Sequence, residues 1–286
     1  MAGSYEVITE RIISRLEAGT IPWRRPWSIE TAEPLSLATG KPYRGINWLL
    51  LSSSGFPNPY WLTYREAMGR GGSVRRGEKG TPVVFWKVSN QEDADTGETQ
   101  ARFILKHYTV FNAGQTDGIA TPAWSRPTNW NPIAEAERLW TDWGAKPRLE
   151  HCGFQAAYAP SIDTIVLPDR SRFPGAAPYY ATLFHEAVHA TGHSSRLDCG
   201  LDTTLAPFGS PDYSREELVA EMGSALLSGT IGIDSMTLDN SATYLANWIR
   251  VLRSDTRLAV IAATHAQKAA DLIRGIAPSS GSGAVD

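Results

Sequence analysis

Residues 184–193 read FHEAVHATGH and contain two histidines four positions apart, with a glutamate directly after the first. Because side chains four positions apart lie on the same face of an α-helix, His185 and His189 can direct two imidazole nitrogens at one cation. Glu186 then lies beside that cation, where its carboxylate can serve as a general base. This pattern, HExxH, is typical of zinc hydrolases, although a bare HExxH also occurs by chance. The rest of the chain therefore has to supply a third ligand.

A third histidine is missing from the position where one variant of the pattern requires it. HExxHxxGxxH would need histidine at 195, where this chain has serine, and His193 lies two residues too early. A later predicted helix, 214–228, carries Glu217 and Glu221 one turn apart on one face. We expect Glu217 to be the third ligand and Glu221 to accept the N–H of a ligating histidine, and the reverse assignment fits the spacing as well.

Zn²⁺ is the cation that this pattern favours, with another divalent cation such as Mn²⁺ as the alternative, because availability also decides which metal a site holds. His193 is expected beside the site, either as a cap of the helix or as a hydrogen-bond partner of Glu221. Cys152 and Cys199 lack CxxC spacing and are predicted to be buried thiols, not ligands. Two cysteines also cannot form a disulfide framework, which indicates a reducing cytoplasm.

Charge is distributed unevenly along the chain. The net charge of −3 combines residues 1–127, with 15 Lys and Arg against 12 Asp and Glu, and a rear half with 12 against 18. Within residues 11–87 the count is 12 cations against 5 acids. A basic front half predicts an anionic partner for that half alone. No stretch approaches the about 18 consecutive apolar residues of a membrane-spanning helix, so we expect no membrane partner, and we expect a monomer.

Three loops of this basic segment combine cations with aromatic residues or glycines. Single-stranded nucleic acid is bound by grooves whose cations meet phosphates and whose aromatic rings stack on bases. The loops are predicted at 20–28, 39–48 and 69–80, where the sequence reads TIPWRRPWS, TGKPYRGINW and GRGGSVRRGEKG. The predicted DNA-binding residues are Trp23, Arg24, Arg25, Trp27, Lys41, Tyr43, Arg44, Arg75, Arg76 and Lys79. Taken singly, each loop is also compatible with a solvated surface or a packed Trp–Pro core.

The pattern of elements predicts two α+β halves that fold separately, joined by the Pro-rich, polar segment 120–132. Before this linker, a helical apolar pattern ends at Gly19, and strands are expected at 81–88 and 101–112 around an acidic hairpin loop. After it, a strand–turn–strand unit is expected at 156–168, followed by helices at about 177–193, 214–228 and 238–273, the last broken once.

These motifs resemble, in order and over roughly residues 5–275, the ArdC antirestriction proteins of conjugative plasmids and related mobile elements. The resemblance rests on IISRLEAGTIPWRRPW, TGKPYRGIN, YWLTYREAMGRGGSVRRGEKGTPVVFWK, DTIVLPDRSRF, YYATLFHEAVHATGH and EELVAEMGSALL. It implies an N-terminal single-stranded-DNA-binding domain and a C-terminal zincin-like, SprT-like metallopeptidase domain, which we place at 1–125 and 133–276. Composition predicts the linker between them (126–132) and a Gly/Ser-rich disordered tail (277–286). It also implies protection of incoming plasmid DNA from restriction and metal ligands at His185, His189 and Glu217.

Two functional hypotheses follow. In the first, the front half recruits the protein to single strands during conjugation, and the rear half is a zinc metallopeptidase that cleaves a host protein such as a restriction factor. The strand around Ile165 would then pair with the extended substrate. In the second, the protein only binds and masks DNA, and the zincin-like domain is a scaffold. The intact Glu186 favours the first hypothesis, because a structural metal site needs no base.

Overall fold

The computed structural model describes residues 3–23, 33–92, 99–124, 131–199, 211–233 and 242–277. Its helices are α1 Ser4–Glu17, α2 Gly45–Ser52, α3 Tyr64–Gly69, α4 Pro132–Asp142, α5 Ala176–Thr191, α6 Pro211–Ile231, α7 Ala242–Ser254 and α8 Leu258–Ile273. Its strands are β1 Leu35–Ser36, β2 Tyr60–Thr63, β3 Ser73–Val74, β4 Thr81–Glu92, β5 Thr99–Asn112, β6 Thr116–Asp117, β7 Arg148–His151, β8 Ala157–Ala159 and β9 Thr164–Leu167. The chain is a two-domain α+β protein, as predicted.

The first helix, α1, confirms the predicted N-terminal helix. Its apolar residues recur at helical spacing, and the buried ones are Ile8, Ile12, Ile13 and Leu16. Gly19 follows in the left-handed region with a φ of 73°, and its N–H donates to the Leu16 carbonyl at 2.9 Å. A glycine thus ends this helix, because glycine adopts the left-handed conformation without steric cost.

A four-stranded sheet in the order β1-β2-β5-β4 organises the N-terminal half. The predicted strands 81–88 and 101–112 form the antiparallel hairpin β4–β5. β4 is an edge of this sheet, and the side chain of Asn47 on α2 covers part of it. Asn47 Nδ2 donates to the Val84 carbonyl at 2.7 Å, and Asn47 Oδ1 accepts from the Val84 N–H at 2.8 Å. A buried side-chain amide therefore satisfies backbone groups that a neighbouring strand would otherwise pair.

A three-stranded sheet in the order β7-β9-β8 precedes the helices α5 to α8. The antiparallel pair β8–β9 confirms the predicted strand–turn–strand unit, and the predicted break in the last helix falls between α7 and α8. β9 is central, parallel to β7 and antiparallel to β8. Ile165 therefore lies in a strand that is paired on both sides, so the expectation that this strand pairs with a substrate is wrong. Both edge strands contact α5: β8 packs against it, and His151 at the end of β7 has its Nε2 3.0 Å from the Tyr179 hydroxyl.

The helices α5 and α6 approach each other closely at a glycine. A Cβ placed on Gly223 of α6 would lie 2.7 Å from Cγ2 of Val188 on α5, closer than side-chain atoms normally approach. One residue further on, Ser224 Oγ donates to the Ala181 carbonyl at 2.9 Å. The missing side chain at 223 lets the two helices touch, which brings the first half of α6 against the HExxH residues of α5.

The hydrophobic core is continuous between the two halves. One cluster of buried side chains contains residues of α1 and α2 together with residues of α5, α6, α7 and α8. The indole of Trp48 on α2 lies over Gly229 on α6, where an added Cβ would be 2.3 Å from the ring. Trp23 meets Trp248 of α7 edge to face, with 5.2 Å between ring centroids. This shared core argues against separate folding of the two halves, which stays a prediction to be tested with fragments.

Both cysteines are exposed, so the prediction of buried thiols is wrong. The reason is their position: Cys152 directly follows β7, and Cys199 lies in the turn region after α5, and neither position faces the core. Within the described ranges, no helix combines the length and the apolar character needed to cross a bilayer.

Candidate metal centre and N-terminal surface

The helix α5 holds the HExxH residues in a fixed orientation because its apolar side is packed in the core. The buried apolar residues around the motif are Leu183, Phe184 and Val188. His185 is also buried, and the side chain of His189 is 13% exposed. The predicted general base, Glu186, is 8% exposed. All three polar side chains of the motif therefore lie in an environment from which most water is excluded.

Glu217 of α6 joins the two histidines of α5 in one donor set. The Nε2 atoms of His185 and His189 are 3.2 Å apart, and the carboxylate oxygens of Glu217 lie 3.5 Å and 3.6 Å from them. One donor atom from each residue lies within 4.8 Å of the others. Tetrahedral ligands at the zinc distances of about 2.0–2.2 Å stand about 3.3 Å from one another. The spacing of this set and its chemistry, two imidazoles and one carboxylate, therefore fit a divalent cation.

Each histidine of the set also faces a carboxylate with its other ring nitrogen. Glu216 Oε1 lies 3.0 Å from His189 Nδ1, and Glu221 Oε1 lies 3.8 Å from His185 Nδ1. The hydrogen bond at His189 favours the tautomer whose Nε2 can bind a metal, whereas the 3.8 Å separation at His185 is longer than a hydrogen bond. Glu216 is not among the site residues predicted from the sequence. The adjacent pair Glu216–Glu217 could have indicated it, because neighbouring side chains leave a helix about 100° apart and can reach different atoms of the site.

The surrounding carboxylates dominate the electrostatics of His185. Burial by itself lowers the pKa of this imidazole, but the hydrogen bond to Glu217 and the charges of Glu186 and Glu221 outweigh burial and raise the pKa to about 9. The buried donor set therefore attracts positive charge. This is the electrostatic condition for binding a dication in a site shielded from water.

The C-terminal end of α5 is anchored by Arg196. The side chain of Arg196 is 3% exposed, its Nε donates to the Ala190 carbonyl at 2.6 Å, and its Nη1 donates to Asp163 Oδ2 at 3.1 Å. His193 forms a hydrogen bond between Nδ1 and Ser195 Oγ at 2.8 Å. This contact places His193 in the turn that ends α5.

The two halves of the chain match two different family models. Residues 3–111 match the N-terminal domain of anti-restriction factor ArdC, and residues 134–265 match the zincin-like metallopeptidase family. The chain is 36% identical to the uncharacterized protein y4eC of Sinorhizobium fredii, over 93% of this chain and 90% of that protein. It is 42% identical to the antirestriction protein ArdC of plasmid R388 in its metal-free crystal structure, with a TM-score of 0.77 over 95% of this chain and 97% of that one. The chain belongs to the ArdC family.

Two further relatives extend the comparison. The Mn(II)-bound crystal structure of the R388 ArdC protein is 39% identical, with a TM-score of 0.74 over 97% of this chain and 99% of that one. An Escherichia coli protein named DNA primase TraC is 39% identical over 94% of this chain, but the chain spans only 27% of its length. The ArdC-type segment therefore occurs both as most of a protein and as a minor part of a longer one.

The ArdC N-terminal domain buries two of the rings that were expected to stack on DNA bases. Trp23 is 3% exposed in the shared core, and Tyr43 is 5% exposed in a cluster with Trp61 and Val83. A base stacks only on a ring with an open face, so the assignment of these two rings to DNA binding is wrong. Three more of the predicted DNA-binding residues lie outside the described residues, namely Arg24, Arg25 and Trp27.

The predicted cations of the same domain have different surroundings. Arg44 forms an ion pair with Asp271 of α8 and so links the N-terminal domain to the zincin-like domain. Arg75 pairs with Glu78 at 3.1 Å and with Asp117 at 3.5 Å. Arg75 therefore holds its loop against β6, which is a structural role that the sequence did not indicate. Arg44 and Arg75 stay exposed although they are paired, and Lys41, Arg76 and Lys79 are exposed as well.

Proposed function

We propose that this ArdC-family protein binds single-stranded DNA through its N-terminal domain and cleaves a protein substrate at a zinc site in its zincin-like domain. These two activities together protect incoming DNA from restriction in the cytoplasm of a recipient during conjugation. The observation that carries the proposal is the convergence of the donor set His185, His189 and Glu217, with the buried carboxylate of Glu186 beside it. A purely structural metal site would need the donor set but would have no use for Glu186.

Each residue of the site has a separate task in the proposed hydrolysis. His185 and His189 would hold the cation through Nε2, and Glu217 would offset part of its charge. When bound, a divalent cation polarises a peptide carbonyl and lowers the pKa of a water molecule. Glu186 accepts the proton of the attacking water at a carboxylate oxygen and, when the C–N bond breaks, returns it to the nitrogen of the leaving amine. The burial of Glu186 keeps bulk water away from that proton.

The edge strand β8 offers a protein substrate a place to bind. β8 pairs with β9 along one side and contacts α5, the helix that carries the HExxH motif. An extended peptide can add to such an edge through main-chain hydrogen bonds. We therefore expect the substrate segment to be unfolded or to unfold locally before cleavage.

Charge and the identity of the relatives support DNA as the partner of the other domain. Cations exceed acids by 12 to 5 in residues 11–87, whereas the chain as a whole is acidic. The relatives that share this segment include an antirestriction protein and a DNA primase. An anionic partner common to such proteins is nucleic acid.

The substitution Glu186→Gln separates hydrolysis from DNA binding, because it removes the base and keeps the size of the side chain and the donor set. Plasmid transfer into a restricting recipient and single-stranded-DNA affinity are measured for wild type and variant. We expect the variant to lose protection while its DNA affinity and metal content stay unchanged. Full protection by the variant would instead support a protein that only masks DNA on a scaffold domain.

A further inference from the structure

The helix α3 carries exposed side chains that contribute little to the core. Tyr64 and Met68 are one helical turn apart and are 56% and 54% exposed. Arg65 on the helix and Arg70 at its end are exposed as well. Two large apolar side chains on the same exposed helix face form a patch of the kind that marks a binding surface.

The loop after α3 continues this surface with further cations. α3 packs against β3, and the turn that follows β3 exposes Arg76 and Lys79. Gly71 and Gly77 adopt φ angles of 80° and 88°, and a Cβ placed on either would meet nothing within 4 Å. The backbone of the loop is therefore open to close approach by a phosphate group.

The acidic residues of the same stretch are engaged by the protein itself. Glu66 closes the capping box of α3, where its Oε2 accepts from the Thr63 N–H at 2.5 Å. Glu78 accepts from Gln115 at 2.9 Å and from Arg75 at 3.1 Å, and these hydrogen bonds lower its pKa. Because Glu78 and Arg75 pair with each other, the exposed cations that can meet a phosphate are Arg65, Arg76 and Lys79, together with Arg70, whose Nη2 also donates to the Leu37 carbonyl at 3.2 Å.

We propose that α3 and the loop 70–79 form the surface on which the single strand binds, with Tyr64 stacked on a base, Met68 beside it, and Arg65, Arg70, Arg76 and Lys79 on phosphates. This inference rests on the proposed DNA-binding function and replaces the buried rings of Trp23 and Tyr43 with an exposed ring. Stacking needs an open ring face, and phosphate binding needs cations that the protein has not neutralised. Duplex bases already stack on one another, so this surface favours single strands over duplex.

Fluorescence anisotropy with the full-length protein and a labelled oligothymidylate strand tests the surface. Tyr64→Ala is expected to weaken binding about 5- to 100-fold with unchanged salt dependence, because stacking involves no counterions, whereas Tyr64→Phe keeps the ring and the affinity. Arg76→Ala combined with Lys79→Ala is expected to weaken binding and to reduce the slope of log affinity against log salt by about 1.4, since each phosphate contact on a single strand contributes about 0.7.

Matched controls come from the β4–β5 hairpin of the same domain, where Phe103 is 59% exposed and Lys87 and Lys106 are exposed. Phe103→Ala, and Lys87→Ala with Lys106→Ala, are expected to bind like wild type. If wild type binds the strand and the Tyr64, Arg76 and Lys79 variants bind equally well, the proposed binding surface is wrong while the proposed function stands. The same conclusion follows if only the hairpin variants bind the strand more weakly than wild type. If wild type does not bind the strand, the proposed DNA-binding function itself fails.

Discussion

The carboxylate of Glu216 lies 3.0 Å from Nδ1 of His189, and the Nε2 of the same ring faces His185 and Glu217. The helix α6 therefore supplies one carboxylate to the candidate metal position and a second carboxylate to Nδ1 of a candidate ligand histidine. The adjacent residues Glu216 and Glu217 have different roles because they leave the helix about 100° apart.

Removal of the Glu216 carboxylate should weaken metal binding without abolishing it. Glu216→Ala is expected to lower the affinity for Zn²⁺ or Mn²⁺ about 10- to 100-fold, because His189 loses the partner that orients its ring. Glu216→Gln, which keeps an acceptor oxygen, should lose less. Competition with a chromophoric chelator measures the affinities, and Glu150→Ala, on the exposed strand β7, is the control. Equal affinity in all four proteins would show that the contact does not position His189.

The two candidate third ligands can be distinguished by metal content. Glu217→Ala should purify without stoichiometric metal, because the remaining donor set has only the two imidazoles of His185 and His189. Glu221→Ala should retain metal with lower affinity, because its Oε1 lies on the Nδ1 side of His185. Elemental analysis of the purified proteins gives the answer. The opposite pattern would make Glu221 the ligand.

The close crossing of α5 and α6 should be sensitive to one methyl group. Gly223→Ala places a Cβ 2.7 Å from Val188 Cγ2, so the helices have to separate or Val188 has to leave its rotamer, at a cost of about 1–3 kcal/mol. Separation also moves Glu217 away from His185, so both the melting temperature and the metal affinity should fall. Gly144→Ala is the control, because an added Cβ there meets nothing within 4 Å. A drop in melting temperature with unchanged metal affinity would show that the donor set tolerates the displacement.

The shared core predicts that the N-terminal half is unstable alone. A fragment of residues 1–125 would expose the α1 and α2 residues that pack on α6, α7 and α8, so we expect no cooperative unfolding transition for it. In the full chain, Trp48→Ala should lower the free energy of unfolding by about 3–5 kcal/mol. Trp124→Ala, whose ring is 37% exposed, should change it by at most about 0.5 kcal/mol. Cooperative unfolding of the fragment would restore the expectation of separate folding.

The ion pair between Arg196 and Asp163 should make the free energy of unfolding decrease at acidic pH. The hydrogen bond from Arg196 lowers the pKa of Asp163, so Asp163 contributes stability above its unfolded-state pKa of about 3.9 and loses it as the pH falls through the folded-state pKa. Asp163→Asn, which tolerates the φ of 46° at this position, should be less stable than wild type at neutral pH. The difference should shrink below about pH 4. Chemical denaturation across this range measures it, and a difference independent of pH would contradict the assignment.

Local patterns were sufficient for much of the fold. The spacing of Ile8, Ile12 and Leu16 predicts α1, and a glycine at 19 predicts its end, because both depend only on neighbouring residues. The hairpin β4–β5 and the pair β8–β9 follow from apolar runs around polar turns. The placement of His185 and His189 on one face follows from the helical repeat alone.

The sequence by itself thus determined the helices, the hairpin and the two-histidine face of the site, because these depend on residues a few positions apart. Only the tertiary structure decided which distant groups meet: Glu216 and Glu217 approach α5 because Gly223 lets the helices touch, and Trp23 and Tyr43 leave the surface because each fills a core. An exposed aromatic residue and a buried one can have the same kind of neighbouring sequence. Burial is set by the packing of elements that are far apart in the chain, and that packing also decides which carboxylates can reach the histidines.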